Sequence, residues 1–174
     1  MKWSIMYGTE KFDLIVKIDG NEATQEPEEI AIEKLKTQLK NQEPYFYLKE
    51  CEFDNIFMVE LKGRMNTTTK LSNTLPQDNF QMVPIENVVL TRPEIILENI
   101  LRISAKKIKD EDTFAIRCNI KGSTFIKKRE TFIKSIYKEI EKINGKADEI
   151  HPDWIIHIEV LGENTGISVL NQNK

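Results

Sequence analysis

Apolar residues recur along this chain at two spacings, near two and near 3.6 residues, and the switch between them marks out the elements. Phe12 to Ile18 reads Phe-Asp-Leu-Ile-Val-Lys-Ile, a short strand pattern, and Ser4 to Tyr7 is of the same type. Asp19-Gly20-Asn21 is a turn signal. Glu26-Pro27-Glu28-Glu29 opens a helix, because proline fits a first turn and carboxylates suit the positive end of the helix dipole. Ile30, Leu35 and Leu39 carry that helix from Pro27 to Lys40, with Pro44 beyond its end. Phe53 to Leu61 predicts a strand with one buried face. Gly63 to Asn79 is rich in Thr, Asn, Ser and Gln and predicts either a long loop or a poorly patterned helix. Phe80 to Leu90 is extended, and Pro84 within it predicts an edge position or a bend.

The second half is patterned more strongly. Thr91-Arg92-Pro93-Glu94 has capping-box spacing and predicts a helix as far as Ile108, with Ile96, Ile100 and Ile103 on one face. Lys106, Lys107 and Lys109 fall in its last turn, where cations suit the dipole. Thr113 to Ile120 predicts a strand with Phe114, Ile116, Cys118 and Ile120 on one face and Ala115, Arg117, Asn119 and Lys121 on the other. Lys127 to Ile143 is the best helix pattern in the chain, stopped by Asn144-Gly145. Trp154 to Leu161 predicts a strand, Gly162 to Gly166 a turn, and Ile167 to Leu170 a closing antiparallel strand. The order predicts an α/β (α+β) protein: a small ferredoxin-like sheet-plus-helix unit over residues 1–80, then a domain over 81–174 with a mixed sheet and helices packed on one face.

Composition bounds the function. The chain has 174 residues, 40% hydrophobic and 30% charged, which suits a globular protein able to bury its own core. Lys outnumbers Arg by 20 to 5. Net charge is −3, yet residues 1–90 hold 10 basic and 15 acidic residues while 91–174 hold 15 and 13. Such asymmetry points either to a nucleic-acid partner for the second half or to compositional drift. Two isolated cysteines, Cys51 and Cys118, fit free thiols in a reducing compartment. Met1-Lys2-Trp3 runs into a strand pattern rather than a signal peptide, and no apolar run is long enough for a bilayer. A soluble, cytoplasmic protein with no membrane partner is expected.

The usual catalytic constellations are thinly represented. There is no GxxxxGK[ST] and no GxGxxG, and Lys121-Gly122-Ser123 lacks the glycine-rich loop a phosphate cradle needs. A metal held by His151 and His157 lacks clustered partners. Cys118 could approach His157 across neighbouring strands as a nucleophile–base pair, a geometry that most small sheets permit. Asp110 and Asp112 sit in a solvated charge run. No catalytic residue, metal or cofactor is expected.

One segment breaks a local rule. Between Thr113 and Arg129 there are five basic residues, Arg117, Lys121, Lys127, Lys128 and Arg129, and no acidic one. The last three open a helix, where free N–H groups already carry partial positive charge. Either these cations splay into water, or a bound phosphate draws N–H groups and cations onto one anion.

The order of these pieces resembles the THUMP domain. Thr113-Phe114-Ala115-Ile116-Arg117, the basic stretch, the long helix, Lys146-Ala147-Asp148, the Pro152-Asp153 step, Ile156-His157-Ile158-Glu159-Val160 and Ile167-Ser168 carry the resemblance, with Pro84-Ile85-Glu86 and the helix after it as lead-in. It covers about residues 80–170, and it departs from the family at Cys118-Asn119-Ile120-Lys121-Gly122, where Arg-Arg or Arg-Gly is common. The resemblance implies a tRNA-binding α/β domain of the kind fused to tRNA modification enzymes. In a chain this short it is similar to the free-standing single-THUMP adaptors of cytidine acetylation. A noncatalytic RNA-binding adaptor in tRNA modification is then expected, taking the acceptor stem and 3′ end and working with a tRNA acetyltransferase or other modification enzyme. Arg117, Lys121, Lys127, Lys128 and Arg129 are its expected RNA-binding residues. The rivals are a small tRNA-modifying enzyme using Cys118 and His157, and a scaffold subunit that works through the acidic first half with little RNA contact.

Overall fold

The computed structural model describes residues 9–18, 28–43, 45–62, 80–122 and 125–172. The expectations for Ser4–Tyr7, the Asp19–Asn21 turn, the Pro27 helix start and the Gly63–Asn79 segment lie outside these residues. The chain divides into two compact units, one over Lys11–Ile85 and one over Glu86–Lys174 that also takes in Glu10 at the chain's start. This is the mixed α/β architecture the patterning predicted.

The first unit is an antiparallel sheet in the order β2-β3-β1-β4, built from β1 (Leu14–Ile18), β2 (Phe46–Glu50), β3 (Ile56–Leu61) and β4 (Phe80–Pro84), with helix α1 (Glu28–Gln42) packed against it. Ala31, Leu35 and Leu39 recur at intervals of four along α1 and meet Leu14, Val16, Val59, Leu61, Phe80 and Met82 on alternate strand positions. β3 starts at Ile56 rather than Phe53, because Asn55 adopts a left-handed turn conformation with φ of 63°. β2 went unread in the sequence: only Phe46 and Leu48 of its five residues pack inward, as an edge strand allows.

The extended run from Phe80 to Leu90 serves both units. Pro84 ends β4, where the missing N–H costs no interior ladder bond. After a break at Ile85–Glu86, β5 (Asn87–Leu90) begins the second sheet. Glu86 anchors that start: its backbone N–H donates to Ile167 O, and its carboxylate accepts Val169 N–H at 2.7 Å and Lys107 Nζ at 2.5 Å.

The second unit adds α2 (Pro93–Lys107), β6 (Thr113–Lys121), α3 (Arg129–Ile143), β7 (Lys146–Ala147), β8 (Trp154–Leu161) and β9 (Asn164–Asn171). Its sheet has the order β5-β9-β8-β6-β7 and is mixed: β6 is parallel to β7 and β8, and β9 is antiparallel to β8 and β5. Ile96 and Ile100 of α2 and Phe132, Ile136 and Ile140 of α3 pack on Phe114, Ile116, Ile156, Ile158, Ile167 and Val169. Asp153 ties β6 to β8 at their N-terminal ends, its carboxylate accepting the Thr113 N–H at 2.9 Å and its own N–H donating to Thr113 O. That is the architectural role the Pro-Asp step suggests. Among the described residues no helix is long and apolar enough to cross a membrane.

Two helix starts differ from the sequence pattern. The capping box at Thr91 does not form: Arg92 is the N-cap and makes no side-chain cap bond, while the buried Thr91 hydroxyl pairs with Thr165 Oγ1 at 2.8 Å. Pro93, at the first helical position, supplies the helical φ instead. Helix α3 begins at Arg129 rather than Lys127, with extended Lys128 as an N-cap that makes no side-chain bond. Its other end follows the pattern: Asn144 caps it and Gly145 turns the chain at φ of 88°. A Cβ there would lie 2.8 Å from Ile108 Cγ2 and 3.3 Å from Asp112 O. Gly145→Ala is therefore expected to destabilise the protein by at least about 2 kcal/mol, from left-handed strain plus overpacking; thermal melting with an unchanged midpoint would contradict this.

Candidate nucleic-acid interface

Strand direction sets the geometry of the basic segment. β5, β6 and β8 all point the same way, since β9 is antiparallel to both β5 and β8. Helix α2 follows β5 and α3 follows β6, so both helices start at the C-terminal end of these strands. In each, free first-turn N–H groups, equivalent to roughly half a positive charge, face that end.

Four of the five predicted cations gather there. Lys121 is the last residue of β6, and its carbonyl accepts the Gly162 N–H from the β8–β9 turn at 2.8 Å. Gly122 turns the chain at φ of 65°; Ser123 of the Lys-Gly-Ser fragment lies outside the described residues. Lys127 and Lys128 are exposed and lead into α3. Arg129 is exposed too, but its Nη2 donates to Cys118 O at 2.9 Å. The side chains of Lys121, Lys127 and Lys128 make no hydrogen bond or ion pair among the described residues.

Arg117 stands apart. It lies four residues before Lys121, roughly 13 Å along the strand. Its guanidinium pairs with Glu149 Oε2 at 3.1 Å and leans on the Ile116 carbonyl. The reason is the sheet edge. β7 pairs only with Thr113 and Phe114, so among the described residues the outward N–H and C=O groups of Ile116 and Cys118 find no strand. Side chains cover them: the Tyr137 hydroxyl accepts the Ile116 N–H at 2.9 Å and donates to Glu149, Arg117 reaches Ile116 O, and Arg129 holds Cys118 O. Burial first, and the bond to Glu149 second, push the Tyr137 hydroxyl up to about 12. Arg117 and Arg129 thus hold β6 closed, a task that needs no ligand.

Two residues missed in the sequence belong to the same end. Arg92, N-cap of α2, stacks its Cζ 3.6 Å from the ring centroid of Phe125, which is 39% exposed. Arg92 also pairs with Glu163 on the β8–β9 turn at 3.3 Å. An aromatic residue in a basic loop that no periodicity places in a core was the available signal for Phe125; the apparent capping box hid Arg92. The end therefore holds Arg92, Lys121, Lys127, Lys128 and Arg129 against Glu94, Glu130 and Glu163, plus two helix starts. That balance favours an anion.

The nucleophile–base reading fails on register. His157 is paired with Arg117 and Cys118 with Ile158, so the two side chains leave opposite faces of the sheet. Cys118 lies in the helix-covered core, where burial pushes its thiol up to about 11. Asp112 is likewise structural, accepting the Lys109 N–H and the Trp154 Nε1–H.

Residues 91–170 match the family model of the THUMP domain. No curated protein matches the chain. Among solved structures, the chain is similar to PH1313 from Pyrococcus horikoshii Ot3, with 15% identity, a TM-score of 0.68, and coverage of 92% of this chain and 54% of that one. It is similar to a 4-thiouridine synthetase solved as an RNA complex with bound ATP, with 15% identity, a TM-score of 0.63, and coverage of 92% and 41%. TrmN from Thermus thermophilus follows, with 12% identity, a TM-score of 0.53, and coverage of 90% and 44%. At these identities the likeness is one of fold, and the chain spans about half the length of these structures or less.

The buried thiol gives a direct check. At pH 8, Cys118 with a pKa near 11 is ionised at about one part in a thousand, so iodoacetamide is expected to label it far more slowly in native than in unfolded protein. Peptide mapping that finds Cys118 alkylated in the native state as fast as in the unfolded state contradicts this packing.

Proposed function

We propose that this chain, whose residues 91–170 match the THUMP domain model, is a noncatalytic tRNA-binding adaptor that presents tRNA to a modification enzyme. The observation that carries the reading is the convergence of Lys121, Lys127 and Lys128 with the starts of α2 and α3 at one end of the sheet. Cations at a helix start cost a few tenths of a kcal/mol each when nothing answers them. A phosphate removes that cost and engages helix N–H groups and lysines together. RNA presents such anions in a row, and a domain reading a structured RNA by shape needs little more. The RNA complex of a synthetase that shares this fold supports the same partner class.

In this reading Lys121, Lys127 and Lys128 take phosphates. Arg129 contributes while it holds Cys118 O, and Arg117 acts first on the strand edge. The acceptor stem and 3′ end are the proposed target, cytidine N4-acetylation the proposed reaction of the partner, and the cytoplasm the proposed compartment. So few contacts make for weak binding alone, and a partner enzyme on the same tRNA raises the effective concentration of each for the other.

The test is a salt titration of binding to a tRNA transcript. Lys127→Ala with Lys128→Ala is expected to lower the slope of log affinity against log salt by about 2 and to weaken binding roughly tenfold at ~0.1 M salt, with an unchanged melting midpoint. Unchanged affinity and slope in that variant, with modification intact in cells, would falsify the RNA-gripping role and favour a scaffold subunit.

A further inference from the structure

We infer that Arg92 is a further RNA contact of this same site, with the Glu163 carboxylate as its placeholder until RNA arrives. The inference rests on the tRNA-binding reading and names a residue outside the five-cation set.

The guanidinium of Arg92 is held in advance of any ligand. Its face lies on the Phe125 ring at 3.6 Å from Cζ to centroid, and Nη1 donates to Thr91 O at 2.8 Å. Thr91 is fixed in turn: its N–H donates to Glu163 O at 2.9 Å, and its buried hydroxyl pairs with Thr165. An arginine fork fixed on one face and one edge loses little rotamer freedom when a ligand meets its remaining donors. Nor is the side chain spent on the helix, since Arg92 makes no side-chain cap bond to α2.

The Glu163 contact is the loose one. A single Nη1–Oε2 approach of 3.3 Å joins side chains that are 35% and 63% exposed. An exposed ion pair of that kind is weak and screened by salt. A phosphodiester oxyanion offers the guanidinium two oxygens and a stronger charge-assisted pairing. Arriving RNA exchanges one anion for another at Arg92 and releases Glu163 to water; no bond is made or broken. The β8–β9 turn, which also donates Gly162 N–H to Lys121 O, puts this position beside the end of β6.

A double-mutant cycle on a tRNA transcript tests this, read by affinity, salt slope and melting midpoint. Arg92→Gln is expected to weaken binding about tenfold and to lower the salt slope by about 1. Glu163→Gln is expected to tighten binding about two- to fivefold, and that gain is expected to vanish in the Arg92→Gln background. Phe125→Leu is expected to weaken binding and leave the slope unchanged. If Arg92→Gln lowers the melting midpoint, Arg92→Lys decides: it keeps the charge and loses the fork, so weaker binding at the wild-type slope supports the inference, and wild-type affinity overturns it. A gain from Glu163→Gln of equal size in both backgrounds also overturns it, because the charge is then acting at large. If Arg92 fails either test while the Lys127 and Lys128 variants still lose affinity, only this inference falls. If the wild-type protein does not bind tRNA, the functional reading falls with it.

Discussion

Once β6 and β8 are parallel neighbours, the chain must cross back between them, and α3 is the crossing. Its start is then fixed at the C-terminal end of β6, where Lys121 ends the strand and Lys127 and Lys128 precede the helix. β5 points the same way, so the start of α2 arrives at the same end, bringing Arg92 with it. Ligands in open α/β sheets gather beyond strand C-termini for this reason: the loops and helix starts are all there. Cations that look misplaced in a one-dimensional reading of the helix become a concerted field in the fold.

The same strand creates a second problem. β7 is two residues long, so among the described residues most of the outer edge of β6 has no strand partner. Tyr137, Arg117 and Arg129 supply the missing bonds, and Glu149 holds the first two. An open edge is a site for unwanted pairing, and long polar side chains laid across it are one remedy. The two arginines are suited to this, because a guanidinium can grip a carbonyl and still carry charge. Among the described residues Lys121, Lys127 and Lys128 have no side-chain hydrogen bond or ion pair, whereas Arg117 is already matched by the Glu149 carboxylate.

Much of the fold was legible because the core obeys local periods. Phe132, Ile136 and Ile140 at intervals of four, and Phe114, Ile116 and Cys118 at intervals of two, face inward as their spacing demands. What escaped depends on contacts distant in sequence. Thr91 has a good capping pattern, yet Thr165, 74 residues on, takes its hydroxyl. The split of Phe80–Leu90 between two sheets follows from pairing partners that a single run of residues does not reveal. At the site, the basic run was visible as composition, but the division between the edge-holding arginines and Lys121, Lys127 and Lys128 required the short β7 to be seen. Arg92 and Phe125 lie 33 positions apart, and their stacking has no trace in either neighbourhood.

The central claim is that RNA lies across the C-terminal ends of β5, β6 and β8. Ultraviolet crosslinking of the full chain to a tRNA transcript, with mass-spectrometric mapping of the modified peptides, tests it most directly. The account predicts crosslinks concentrated between Lys121 and Arg129, with Phe125 the foremost aromatic, and a second set at Arg92. Crosslinks confined to the outer face of α1, around Ile30 and Lys34, with none between Lys121 and Arg129, would contradict it.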